Sequence, residues 1–111
     1  MTRRRILLIQ RASLQRDALA GLLTSEGHEV RVTDGPEATE AVAGFGGDLI
    51  VCDLEALEDS PAAELAERIE AARSRLVLVR GATQTLPEVE AVAVLARPIN
   101  LEELRRVIRE G

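Results

Sequence analysis

Polar and charged side chains follow the ends of four short apolar runs in this sequence. They are Gln10 and Arg11 after residues 6–9, Asp53 and Glu55 after residues 49–52, Arg80 and Gly81 after residues 76–79, and Arg97 and Pro98 after residues 92–96. A carboxylate can bind a metal ion, accept a phosphoryl group or pair with an arginine, and a guanidinium binds carboxylates and phosphates in planar geometry. These residue types favour an ion pair or an anion site, provided that the fold brings them together.

The apolar runs have the length and composition of β-strands. Residues 6–9, 49–52 and 76–79 are continuously apolar, as expected for strands that are covered on both faces. Residues 29–33 alternate Val30 and Val32 with charged neighbours, which indicates a strand near the sheet edge. Residues 92–96 form a fifth, short run.

Helical patterns separate most of these strands. Ser13 is expected to cap a helix that Gly27 ends, and Asn100 with Glu103 is expected to cap the last helix. Two more helices are indicated by proline near their first turn, one after Asp34-Gly35-Pro36 and one announced by Ser60-Pro61. Strands that alternate with helical crossovers predict an α/β domain with a doubly wound, five-stranded parallel sheet. Ligands of such sheets bind beyond the carboxyl ends of the strands, where the polar positions lie.

Composition argues against several functions. The 111 residues contain no Lys, and 14 Arg against 19 acidic residues give a net charge of −5, so nucleic-acid binding by this domain alone is not expected. No apolar run approaches the roughly 20 residues of a membrane span. The single Cys52 cannot form an internal disulfide, which favours a cytoplasmic protein. One His, no glycine-rich phosphate loop, and no Ser or Cys beside a base argue against an enzyme.

The order of these features resembles the receiver domain of bacterial two-component response regulators over nearly the whole chain, residues 1–111, as a single domain. The stretches that carry the resemblance are Ile6-Leu7-Leu8-Ile9, Glu26-Gly27-His28-Glu29-Val30, Asp48-Leu49-Ile50-Val51-Cys52-Asp53-Leu54, and Arg97-Pro98-Ile99-Asn100-Leu101-Glu102-Glu103-Leu104. The resemblance implies a flavodoxin-like sheet with strand order 2-1-3-4-5. It also implies an aspartate that accepts a phosphoryl group from a histidine kinase with Mg²⁺, and Asp53 falls on that position.

Most other site positions depart from the family. Its metal-holding acidic pair after the first strand is here Gln10-Arg11, and its Ser or Thr after the fourth strand is Arg80 or the adjoining Gly81. Its Lys before the last Pro is Arg97, a change that the absence of lysine from the chain explains by itself. No such preference explains the loss of the two acids.

Charge counting over these positions predicts that Mg²⁺ binding is lost and that no cofactor is bound. Asp53 faces Arg11, Arg97 and, if it points inward, Arg80, which gives a pocket of about +1 to +2. Mg²⁺ prefers carboxylate oxygens, and Glu55 or Glu58 swinging in is the less favoured alternative. We expect Arg11 or Arg97 to lie against Asp53, a vestigial phosphoacceptor, and to keep it ionised.

The stretch between Arg80 and Arg97 is shorter than the family's crossover helix requires, so we expect the fourth helix to be shortened or lost. The aromatic switch residue of the family falls near Val94. Without the helix, an apolar surface is expected at Leu86, Val89, Val92 and Val94.

These observations predict an atypical, phosphorylation-independent receiver-like domain that binds protein partners, or a second copy of itself, in bacterial signal transduction. Two alternatives stay open. One is a genuine phosphoacceptor receiver that is phosphorylated on Asp53, and the other is a small domain that binds an anionic ligand through its arginines.

Overall fold

The computed structural model describes residues 3–45, 47–58, 62–82, 84–87 and 89–110. Its strands form one parallel sheet in the order β2-β1-β3-β4-β5. Their bounds are β1 Arg5–Ile9, β2 Glu29–Thr33, β3 Leu49–Asp53, β4 Arg75–Arg80 and β5 Ala93–Ala96. The predicted doubly wound fold and its strand order are confirmed.

The three central strands are buried because apolar side chains point to both faces of the sheet. Leu7, Ile9 and Ile50 belong to the core on one face, and Leu8 and Val51 belong to the core on the other. β2, at one edge, is mostly exposed, as its alternating sequence predicts. The carboxyl ends of β1, β3, β4 and β5 consequently lie along one edge of the sheet.

Two helices pack on each face, within the part of the chain that the structure describes. α1 (Leu14–Ser25) and α4 (Leu101–Glu110) lie on one face, and α2 (Ala38–Phe45) and α3 (Ala62–Ala72) lie on the other. A 3₁₀ helix, Gly35–Glu37, precedes α2 and carries the predicted proline. The predicted start of the third helix at Ser60-Pro61 lies outside the described residues.

The predicted caps of α1 and α4 are present. The Ser13 hydroxyl accepts a hydrogen bond from the Arg16 amide at 3.0 Å, and the Asn100 side-chain carbonyl accepts one from the Glu103 amide at 3.1 Å. Gly27 follows α1 with a φ of 96°, a conformation that favours glycine. These caps set where both helices begin and so place the loops at the carboxyl edge of the sheet.

The connection between β4 and β5 differs most from a regular crossover. None of its described residues between Gly81 and Val92 is helical, so the predicted shortening or loss of this helix is confirmed for that part of the chain. The described residues of this segment, which we call the strap, follow an irregular path across the face that carries α3, where Val89 and Ala91 pack against the core.

Candidate functional site

Asp53 ends β3 and lies at the carboxyl edge of the sheet. Asp53 is only 8% exposed to solvent. Its Oδ1 accepts a hydrogen bond from the Glu55 amide at 2.9 Å and so caps a 3₁₀ helix, Leu54–Leu57. This short helix turns the chain back on itself and brings Glu55 beside the carboxylate that caps it.

Among the described residues, Arg97 is the cation that forms an ion pair with Asp53. Its Nε lies 3.4 Å from Asp53 Oδ1, and its Nη1 donates a hydrogen bond to Glu55 Oε2 at 2.5 Å. Nη2 donates to the side-chain carbonyl of Gln84. One guanidinium therefore joins residues that follow β3, β4 and β5.

Arg11 binds the neighbouring acidic side chains. Its Nη2 donates to Glu58 Oε2 at 3.1 Å, and its Nη1 lies 3.6 Å from Glu55 Oε1. Of the two arginines expected near Asp53, Arg97 makes the direct ion pair and Arg11 reaches it through Glu55.

The expected positive charge of this pocket is wrong. Asp53, Glu55 and Glu58 carry three negative charges, and Arg11 and Arg97 carry two positive charges, so these five groups sum to −1. The sequence count omitted both glutamates because it did not foresee the 3₁₀ helix that folds them back toward the arginines. What distinguishes the site is that arginines engage its carboxylates, and not that its net charge is positive.

The pKa of Asp53 also departs from expectation. Burial raises the pKa of this carboxyl above its usual value, and Glu55 raises it further by charge repulsion. The amide hydrogen bond from Glu55 and the charges of Arg97 and Arg11 lower the pKa without outweighing burial. The arginines therefore do not hold Asp53 more strongly ionised than an ordinary aspartate.

A cleft of about 820 Å³ opens beside Asp53. Its polar end contains Gln10, Arg11, Glu55 and Arg97, and its apolar walls come from α1 and from the loop after β5, with Leu19, Leu22, Pro98 and Ile99. Gln10 is 8% exposed, and its backbone amide donates to the Thr33 carbonyl at 3.0 Å. The Gln10 side chain makes no hydrogen bond to another described residue.

Of the two residues that follow β4, Gly81 lies at the site and Arg80 does not line the cleft. The Arg80 Nε donates to the carbonyl of its neighbour Gly81 at 3.3 Å, and Arg80 is not among the described lining residues. Gly81 lies against Arg97, since a Cβ built on this glycine would be 3.1 Å from Arg97 Nη2. The Arg97–Pro98 peptide bond is cis.

The apolar surface at the β4–β5 strap is smaller than expected. Leu86, Val92 and Val94 are 39%, 55% and 45% exposed. Val89 is instead half-buried against the core, because the strap folds over β4 and α3 where the missing helix would lie. The exposed surface thus consists of three residues and not four.

Gln84 is the site residue that the sequence did not indicate. Its side chain contacts both Arg97 and the amide of Gly81, which lies 2.7 Å from Gln84 Oε1. It lies in the strap, where no periodic pattern predicts which side chains point inward.

Within the described residues, no helix combines the length and the apolar composition that a membrane span requires. No group of three or more His, Cys, Asp or Glu side chains with the arrangement of a metal site occurs in the same residues.

Comparison with known proteins places the fold among receiver domains. No protein-family model and no curated protein sequence matches the chain. Solved structures do match. The N-terminal domain of a response regulator/sensory box/GGDEF protein from Carboxydothermus hydrogenoformans is 24% identical, with a TM-score of 0.75 over 96% of this chain and 90% of that one. A putative response regulator from Chloroflexus aurantiacus is 19% identical, with a TM-score of 0.80 over 98% and 97% of the two chains.

A third similar structure is the receiver domain of a sensor histidine kinase from Pseudomonas aeruginosa, which has a magnesium ion coordinated in its active-site cleft. It is 21% identical, with a TM-score of 0.73 over 98% of this chain and 97% of that one. The chain therefore has the flavodoxin-like fold of response regulator receiver domains.

Proposed function

We propose that this domain is a phosphorylation-independent receiver that serves as a protein-interaction module in two-component signalling, without catalytic activity of its own. The observation that carries the proposal is the contact of Arg97 with both Asp53 and Glu55, at 3.4 Å and 2.5 Å. A guanidinium stays charged at physiological pH and fits carboxylates well. It supplies permanently the positive charge that a metal ion would bring only when bound.

The donor set of the cleft does not fit Mg²⁺. This ion takes near-octahedral oxygen ligands, usually one or two carboxylates together with waters. Here Arg97 and Arg11 engage both oxygens of Glu55, Arg11 engages Glu58, and Asp53 Oδ1 receives the Glu55 amide and faces Arg97. Coordination would require the ion to displace guanidinium groups from these oxygens. Gln10 and Arg11 stand where the acidic pair of the resembled family would supply ligands.

The partner surface in this proposal is the exposed patch of Leu86, Val92 and Val94. β5 is an edge strand, and Val94 stands on it without a covering helix among the described residues. Exposed apolar side chains on and beside an edge strand favour protein contacts. The partner is a protein, and self-association through the same patch is included. A cytoplasmic location stays a prediction.

The proposal is tested by incubating the protein with acetyl phosphate and Mg²⁺ and measuring its intact mass. We expect no gain of a phosphoryl group in the wild type. A matched variant, Gln10→Asp/Arg11→Asp, restores the acidic pair and is expected to gain mass, and the gain should vanish when Asp53→Asn is added. A phosphoryl adduct on the wild-type protein that Asp53→Asn removes would overturn the proposal.

One observation favours a second candidate, a genuine phosphoacceptor. Asp53 lines the cleft, and its Oδ2 makes no hydrogen bond to another described residue. A carboxylate oxygen without a hydrogen-bond partner, on a residue that lines the cleft, supports attack on an incoming phosphoryl group. The same mass measurement decides between the two functions, because only the phosphoacceptor gains mass in the wild type.

A further inference from the structure

The guanidinium of Arg97 is held from two sides. Nη1 donates to Glu55 on the β3 side, and Nη2 donates to Gln84 on the β4 side. Nε is buried and makes no hydrogen bond to a described residue, although Asp53 Oδ1 lies 3.4 Å away. The position of the charge over Asp53 therefore depends on the two Nη contacts.

Gln84 joins this guanidinium to the backbone that leaves β4. Its Oε1 accepts from Arg97 Nη2 and from the Gly81 amide. Gly81 leaves room for the guanidinium, since a Cβ there would approach Nη2 to 3.1 Å and Gln84 Oε1 to 3.5 Å. A single side-chain oxygen thus links the end of β5, where Arg97 lies, to the beginning of the strap.

Some apolar residues of the strap pack on the core, and others are exposed to solvent. Val89 and Ala91 pack on the core, while Leu86 and Val92 remain exposed. The contact of Gln84 with Gly81 fixes the path of the chain just before these residues. Gln84 therefore joins the carboxylate cluster to the start of the strap.

We propose that Gln84 is the positioning residue of this cleft, which holds Arg97 over Asp53 and Glu55 and fixes the start of the strap through Gly81. The inference rests on the proposed role of Arg97 as a permanent counter-ion. Gln84 is uncharged and is not one of the site positions that the resemblance implies, yet it keeps this counter-ion in place. Gln84 does so from the non-helical part of the strap, where its side chain contacts both Arg97 and the Gly81 amide.

The test is NMR spectroscopy of Gln84→Leu, which removes the acceptor but keeps a side chain of similar size. In the wild type, hydrogen bonds at both Nη atoms should slow rotation of the Arg97 guanidinium and give separate Hη signals. In Gln84→Leu we expect these signals to merge. The Gly81 amide should exchange about tenfold faster, the factor expected for the loss of one hydrogen bond. Gln84→Glu retains an acceptor oxygen and should restore slow exchange at Gly81.

Two further variants keep the result interpretable. Thr85→Val changes the exposed neighbour, whose side chain makes no hydrogen bond to a described residue, and should leave the Arg97 and Gly81 signals unchanged. Gly81→Ala should disturb the Arg97 signals from the opposite side by filling the space beside Nη2. Separate Arg97 Hη signals and unchanged Gly81 exchange in Gln84→Leu would overturn the inference.

No phosphodonor is used in this test, so its outcome is distinct from that of the mass measurement. If the wild type is phosphorylated while Gln84→Leu behaves as expected, the proposed function is wrong and the placement of Arg97 by Gln84 stands. If the wild type is not phosphorylated while Gln84→Leu has no effect, the proposed function survives and the role of Gln84 is wrong.

Discussion

Replacing Arg97 by Met isolates the contribution of its guanidinium. Methionine keeps an unbranched side chain of similar length, so the packing of the arginine stem against its surroundings is largely retained. The change removes the hydrogen bonds to Glu55 and Gln84 and the ion pair with Asp53.

The expected cost follows from the exposure of each partner. The Glu55 side chain is 42% exposed and regains water, so its contact contributes about 0.5 kcal/mol. The Asp53 side chain is 11% exposed and keeps the Glu55 amide but loses its nearest cation, which costs about 1–2 kcal/mol. Gln84 keeps the Gly81 amide as a partner and adds little. We expect Arg97→Met to destabilise the fold by about 2 kcal/mol.

Urea unfolding measures this change, followed by circular dichroism because the chain has no Trp or Tyr. At a slope of about 2 kcal/mol per M, the midpoint should fall by about 1 M. Arg80→Met is the matched control. Among the described residues the Arg80 side chain hydrogen-bonds only to the adjacent Gly81 carbonyl, so its loss should cost less than about 0.5 kcal/mol. Equal midpoints for Arg97→Met and Arg80→Met would refute the assignment of Arg97 as the counter-ion of Asp53.

Three further predictions concern Asp53, Cys52 and the exposed patch. Because burial raises the pKa of Asp53, the ionised carboxylate destabilises the folded state above that pKa. Asp53→Asn should therefore unfold at a higher urea concentration than the wild type at neutral pH, and the difference should shrink as the pH falls through the carboxyl range. An equal or lower urea midpoint for Asp53→Asn at neutral pH would contradict this prediction. Burial raises the pKa of the Cys52 thiol to about 12, so a thiol reagent should modify it only in urea, and rapid modification of the native protein, detected by mass, would show that the residue is accessible. If the patch binds a second copy of the chain, Val94→Glu should lower the apparent mass measured by light scattering at high protein concentration without lowering stability. If the wild type is dimeric and Val94→Glu has the same mass, self-association occurs through another surface.

The fold follows from local patterns that tertiary contacts do not override. The apolar runs at residues 6–9 and 49–52 can be stable only where both faces of a strand are covered, and the sheet places them at its centre. Ser13 and Asn100 cap helices because their side chains satisfy amides at the first turn. These features depend on neighbours in sequence and are therefore readable from the sequence.

The details of the site depend on long-range contacts and were less predictable. The rule that polar positions meet at the carboxyl ends of parallel strands anticipates the approach of Arg97 to Asp53. It does not reveal that a 3₁₀ helix brings Glu55 and Glu58 toward the arginines. Their charges remove the expected positive charge of the pocket. The sequence feature that could have predicted this helix is Asp53, which can cap it by accepting a hydrogen bond from the amide of Glu55, two residues later.

No sequence pattern indicates the position of Gln84. The strap lacks helical or strand periodicity, so tertiary contacts, and not neighbours in sequence, decide which of its side chains point inward. The same cause accounts for Val89, which the sequence predicted to be exposed and which lies half-buried beside α3.

Arg97 and Arg11 engage the carboxylates of Asp53 and Glu55, and we infer that this engagement excludes a divalent cation from the cleft. It is tested most directly by titrating the ¹⁵N-labelled protein with Mn²⁺, a paramagnetic ion that accepts the ligands of Mg²⁺ and broadens nearby amide signals. We predict no selective broadening at Asp53 or Glu55 in the wild type, and selective broadening there once Gln10→Asp/Arg11→Asp restores the acidic pair. Selective broadening of Asp53 and Glu55 in the wild type, at Mn²⁺ concentrations that leave surface acidic residues such as Glu102 unaffected, would contradict the claim.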